Sequence, residues 1–97
     1  MLETISFSQR QRLAYIDFCL LFKGAIHRQD LINRFEVGLS AGSRDFTLYK
    51  ELAPDNLVYD PREKRYFQTE SFIPVFEHDA KRTLVKLAND ISDGFDA

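Results

Sequence analysis

Ser40, Ser43, Arg44 and Thr47 follow one another at i, i+3, i+4 and i+7, a spacing that gathers them on one stripe of a helix. Short hydroxyls let a helix backbone lie close to whatever it faces. A guanidinium bonds bidentately to a planar pair of acceptors or neutralises a phosphate. The stripe, read as free of carboxylates, therefore suits the base edges and phosphates of a nucleic-acid groove. Its bland counterpart is a solvated helix face that happens to carry an arginine.

A second cluster lies further on, where Arg62, Lys64 and Arg65 stand against Asp60 and Glu63. Basic side chains at such a tip run along phosphates and fix register without reading sequence, although hairpin tips are also charged simply for solubility. Lys50 and Arg28 extend the basic set. Gly38 precedes the striped helix and can cap it while leaving its N–H groups open to water or to a phosphate. Leu39, in the first turn, either touches a thymine methyl or is a surface leucine.

Chemistry of other kinds finds little support. His27 and His78 are far apart, and with Cys19 they form no metal-ligand spacing. His27 is expected to cap a helix or face solvent, and Cys19 to be a small buried hydrophobe. Asp45, following Arg44, reads as a structural carboxylate that orients a neighbouring arginine or bonds the backbone. With no nucleophile–base pair, acid pair or phosphate-cradling glycine loop, the chain is not expected to be an enzyme. No cofactor, metal or small-molecule site is expected either.

The elements that must position the stripe follow from period and punctuation. A first helix is predicted over residues 7–23, capped by Ser6, with Gln9 closing a capping box and Gly24 just beyond its end. Leu13, Ile16 and Leu20 line one side of it and Ala14, Phe18, Leu21 and Phe22 another, so it must meet a second surface as well as the core. Ile26 sits in a short extended link. A second helix is predicted over 28–35, with Leu31, Ile32 and Phe35 facing inward. The tight connection 36–38 leads to a third helix over 39–52, whose Gly42, Phe46 and Tyr49 point inward and which Pro54 prevents from running on. Residues 57–59 and 65–68 read as paired strands around a Pro- and Asp-containing loop. A final helix is expected over about 80–92, its stripe of Ala80, Leu84, Leu87, Ala88 and Ile91 docked on the spare face of the first.

Three helices followed by a hairpin, with a short turn between the second and third, is the order of a winged helix-turn-helix. The expected fold is mainly α with a small β-hairpin: a three-helix core plus wing over residues 1–76, then a C-terminal linker helix over 77–97. The same layout also serves protein–protein assembly, so topology alone leaves DNA binding and an assembly module both open. The over-apolar first helix and the net charge of −2 favour the latter.

Residues 24–31, 35–37, 43–46, 49–54, 56–60 and Tyr66 resemble the N-terminal winged helix of WYL-domain transcriptional regulators. They are most similar to the repressors encoded beside phage-defence systems of the BREX and CBASS kind. The likeness covers roughly residues 8–76 without a gap, and residues 72–76 also resemble the segment after the wing in those regulators. It implies a dimeric repressor on an inverted repeat of double-stranded DNA, with a WYL domain and a dimerising extension after the winged helix. The WYL domain is absent from these residues, which leaves an excised domain or a free-standing relative as expectations. Gly38 stands where such regulators often place a capping Ser that also touches phosphate.

Bulk properties bound this picture. At 97 residues the chain fits one domain. It has no apolar run near the ~18 residues a membrane span needs, and no basic start with an apolar stretch to mark a signal peptide. A single cysteine fits a reducing, cytoplasmic compartment. Residues 1–69 carry ten basic side chains against nine acidic, residues 70–97 three against six. Attraction to phosphate must therefore be a local property of the first part.

Overall fold

The fold is that of a computed structural model describing residues 5–78. The elements in chain order are α1 (Phe7–Phe22), β1 (Ala25–Ile26), α2 (Arg28–Phe35), α3 (Leu39–Leu52), β2 (Leu57–Asp60) and β3 (Arg65–Gln68). Ser6 Oγ caps α1 by accepting the Gln9 N–H at 3.1 Å. The second half of the expected capping box is not made, because the Gln9 amide reaches instead to the Asp45 carboxylate at 3.3 Å. Beyond α1 the chain reverses at Gly24, whose φ of +76° favours a residue without Cβ. α2 ends on Glu36, also left-handed at φ 53°.

The strands form one antiparallel sheet in the order β1-β3-β2. The short link at Ile26 is thus a third strand beside the expected hairpin, with Ala25 opposite Phe67 and Ile26 opposite Tyr66. Two residues are too few to show an alternating pattern. What makes them a strand is the Gly24 turn, which lays them along β3 and lets the Gly24 carbonyl accept the Gln68 N–H at 2.9 Å.

Leu13, Ile16, Leu20, Ile26, Leu31, Phe46, Tyr49 and Leu57 form the core, joined by Tyr15, Phe18 and Cys19. α2 and α3 cross closely at Gly42, where an added Cβ would sit 3.1 Å from Ile32 Cγ1. The spare face of α1 is covered in part by residues 72–78, with Phe72, Val75 and Phe76 packed against the core. The expected helix over 80–92 lies outside the described residues.

Two buried carboxylates hold the layers together. Asp45 of α3 takes the Arg12 guanidinium at 2.5 Å, so the arginine it orients belongs to α1 and is not its neighbour Arg44. Asp17, fully buried on α1, accepts the Tyr49 hydroxyl at 2.5 Å and the N–H groups of Val75 and Phe76 at 3.1 Å each. His78 Nε2 completes the set at 2.8 Å. These four hydrogen bonds satisfy what would otherwise be a costly buried charge. Asn56 pins the same segment two residues earlier, bonding both the N–H and the carbonyl of Ile73 while its amide also reaches the Tyr49 oxygen.

Candidate nucleic-acid interface

α3 divides as its sequence period requires. Gly42, Asp45, Phe46 and Tyr49 are buried, whereas Leu39, Ser40, Arg44, Thr47 and Lys50 are exposed and Ser43 half-buried. Glu51 corrects the carboxylate-free stripe: it is exposed and stands four residues beyond Thr47 and seven beyond Arg44, on the same side of the helix. The acidic group lies at the C-terminal end of α3, and the one carboxylate nearer the N-terminus, Asp45, is buried against Arg12, so the exposed face around Ser40, Ser43, Arg44 and Thr47 carries no negative side chain.

Local bonds decide what the stripe can offer. The Thr47 hydroxyl donates to the Ser43 carbonyl at 3.0 Å, which uses its proton and leaves this exposed group able only to accept. The Ser43 hydroxyl accepts from the Arg28 guanidinium at 3.2 Å, so Arg28 of α2 lies against the stripe and not apart from it. Gly38 is the N-cap of α3 in extended backbone, with open space where a Cβ would be and no side-chain hydrogen bond at the cap.

The wing is shaped by Asp60, whose Oδ1 accepts the Arg62 N–H at 2.8 Å and whose carbonyl accepts the Lys64 N–H at 2.7 Å. Closing this loop places Lys64 in the left-handed region at φ 57°. Arg62 and Lys64 are exposed, while Arg65 pairs with Glu63 at 3.1 Å and lies over the Phe67 ring. Two contacts fix the wing to the helices. Tyr66 of β3 stacks on Phe46 of α3 with ring centroids 4.4 Å apart. His27, at the N-cap of α2, holds the Lys64 carbonyl from Nδ1 at 3.0 Å, which places the ring proton on that nitrogen. His27 is thus the N-cap residue of α2, as expected, and also a tether to the wing. The cap bond at this end of α2 comes from Asp30, whose carboxylate accepts the His27 N–H at 2.9 Å.

Burial pushes the Tyr66 hydroxyl above its ordinary range; the Tyr59 phenol adds to this and the Arg28 charge opposes it. Tyr49 is raised further, by burial and then by its bond to Asp17, and stays a neutral donor. The structure thus brings Arg28, Gly38, Leu39, Ser40, Ser43, Arg44, Thr47 and Lys50 together on and beside α3, with Arg62, Lys64 and Arg65 on the wing. Asp17 and Asn56 went unread in the sequence; the available signal was a lone aspartate inside the apolar run 13–22.

A three-helix core, a recognition-type third helix and a basic wing define a winged helix-turn-helix domain. The chain belongs to the BrxR transcriptional regulator winged helix-turn-helix domain family, whose model matches residues 8–89. It is 41% identical over 71 residues to the DNA-binding transcriptional repressor CapW of Stenotrophomonas maltophilia, a match covering 73% of this chain and 24% of that protein. It is 42% identical over 72 residues to the protein of the same name from Pseudomonas aeruginosa, covering 74% and 24%. The chain therefore spans about a quarter of the length of these relatives. Its family is one of transcriptional regulators. No helix among the described residues is long and apolar enough to cross a membrane.

Proposed function

We propose that this chain is the sequence-specific DNA-binding domain of a bacterial transcriptional repressor, that it binds an inverted repeat as a dimer, and that it controls a phage-defence locus. Residues 1–76 form the DNA-binding unit and 77–97 link it onward. The observation that carries the reading is the outer face of α3, where Ser40, Ser43 and Arg44 lie beside Arg28, which shares a cleft with Lys64 of the wing. Membership of the BrxR family and the likeness to the CapW repressors support it.

In this reading α3 enters the major groove. Arg44 reaches a guanine edge or a flanking phosphate, Ser40, Ser43 and Thr47 approach base edges, and Leu39 meets an apolar base edge. Arg28, Gly38 and Lys50 border the groove, and Arg62, Lys64 and Arg65 run along phosphates. The test is a mobility-shift titration with the DNA upstream of its own gene and with scrambled DNA, across a salt series. Arg44→Ala should cost ~1–3 kcal/mol per half-site and relax preference at one base position. Lys64→Ala should weaken all sequences alike and lower the salt slope by about 1 per chain. Equal losses on both kinds of DNA would make Arg44 a phosphate clamp; no change from either variant would move DNA binding off this face.

A further inference from the structure

Beside the stripe and the wing tip lies a concave site that neither accounts for. It is a cleft of about 250 Å³ where the wing meets the start of α2, lined by His27, Arg28, Gln29, Tyr59, Lys64 and Tyr66. Among the described residues its walls hold two cations, two phenols, an imidazole and a carboxamide, and no carboxylate. Asp30, nearby on α2, is turned to the backbone N–H of His27. Arg28, Gln29, Lys64 and both phenols offer N–H or O–H donors, which is the composition that suits a small oxyanion.

The walls are held in place from both sides. The Nδ1–H of His27 bonds the Lys64 carbonyl and so ties the left-handed Lys64 to α2. Tyr59 packs against Tyr66 with ring centroids 4.9 Å apart, and Tyr66 in turn stacks on α3 through Phe46. Arg28 bonds Ser43, so the cleft adjoins the stripe that faces the bases. An anion in this cleft would sit one side chain away from the groove.

We infer that the cleft seats one backbone phosphate of the bound DNA, with Arg28 and Lys64 supplying charge and the Tyr59 hydroxyl a neutral hydrogen bond. His27 is a positioning residue that acts through Lys64. This deepens the DNA-binding reading and rests on it. The phosphate belongs to the same duplex that α3 reads, so the cleft sets how far the wing stands from the recognition helix.

The test uses the full chain and the footprinted DNA upstream of its own gene, prepared as duplexes each carrying a single uncharged methylphosphonate. Neutralising the seated phosphate should weaken wild-type binding about tenfold. In Lys64→Asn and Tyr59→Phe that penalty should shrink to about threefold or less, with penalties at other positions unchanged. Asn suits the left-handed backbone at position 64, and Tyr59→Phe removes only a hydroxyl, so both should melt like wild type. His27→Ala should blunt the same penalty and His27→Asn, which can still reach the Lys64 carbonyl, should restore it. Binding in which every phosphate carries the same penalty in wild type and variants would overturn the cleft alone. Failure to bind any duplex would overturn the DNA-binding reading, and the cleft with it.

Discussion

Asp17 gathers four donors from two parts of the chain, α3 and residues 75–78, so its removal strands more than one partner. Asp17→Ala should destabilise the domain by about 3 kcal/mol or more, since each buried donor left without an acceptor costs ~1–3 kcal/mol; denaturant unfolding measures it. Tyr49 links this carboxylate to alkaline stability. Burial and Asp17 raise its hydroxyl, so the fold prefers the neutral phenol. An unfolded tyrosine ionises near pH 10. Stability from Tyr49 is therefore complete below about pH 10 and is lost as pH rises beyond it. Alkaline unfolding followed by phenolate absorbance should show a shallower decline in Tyr49→Phe. Gly38 offers the opposite opportunity: its extended backbone and open Cβ position accept any residue. Gly38→Ser should raise stability by about a few tenths of a kcal/mol, read as a slightly higher Tm, because serine caps a little better than glycine.

The helices were legible because each carried its own punctuation. Ser6, Gly24, Gly38 and Pro54 mark ends, and the inward period of Gly42, Phe46 and Tyr49 set the face of α3 correctly. The sheet was legible only as a hairpin, since β1 owes its existence to a partner more than forty residues away. The candidate site was legible as residue types on a stripe. Its extension through Arg28 and its tether at His27 are contacts between elements, which no local pattern encodes. Glu51 escaped the pattern because it lies one helical turn beyond Thr47, where the run of hydroxyls ends. Two substitutions probe how tightly the elements fit. Gly42→Ala should change stability by less than about 1 kcal/mol, as helix propensity gained offsets the squeeze on Ile32, but Gly42→Leu should lose more. Phe46→Ala, which removes both core packing and the stack on Tyr66, should cost about 3–5 kcal/mol.

For the molecule as a whole, the sign of the net charge is misleading. A chain at −2 would be repelled by DNA if its charges were spread evenly. Residues 70–97 carry the excess acid, and the first 69 carry the basic groups around α3 and the wing. A single small module buries only about 600–1,000 Å² on DNA, which rarely holds one specific site tightly. Binding should therefore show two chains per duplex on half-sites related by a two-fold axis. Sedimentation of the complex measures this, and full affinity for one half-site with one chain bound would contradict it.

The clamps on residues 73–76 also constrain how this chain can change in length. Asn56 grips Ile73 by both backbone groups, and Asp17 grips the N–H groups of Val75 and Phe76. Only Pro74 lies between the two grips, so the segment has no slack. A residue inserted there would throw one set of bonds out of register, whereas residues 61–63, held by Asp60 and short of the His27 tether at Lys64, have room to lengthen. Across relatives of this domain, insertions should gather at the wing tip and be missing between positions 73 and 76.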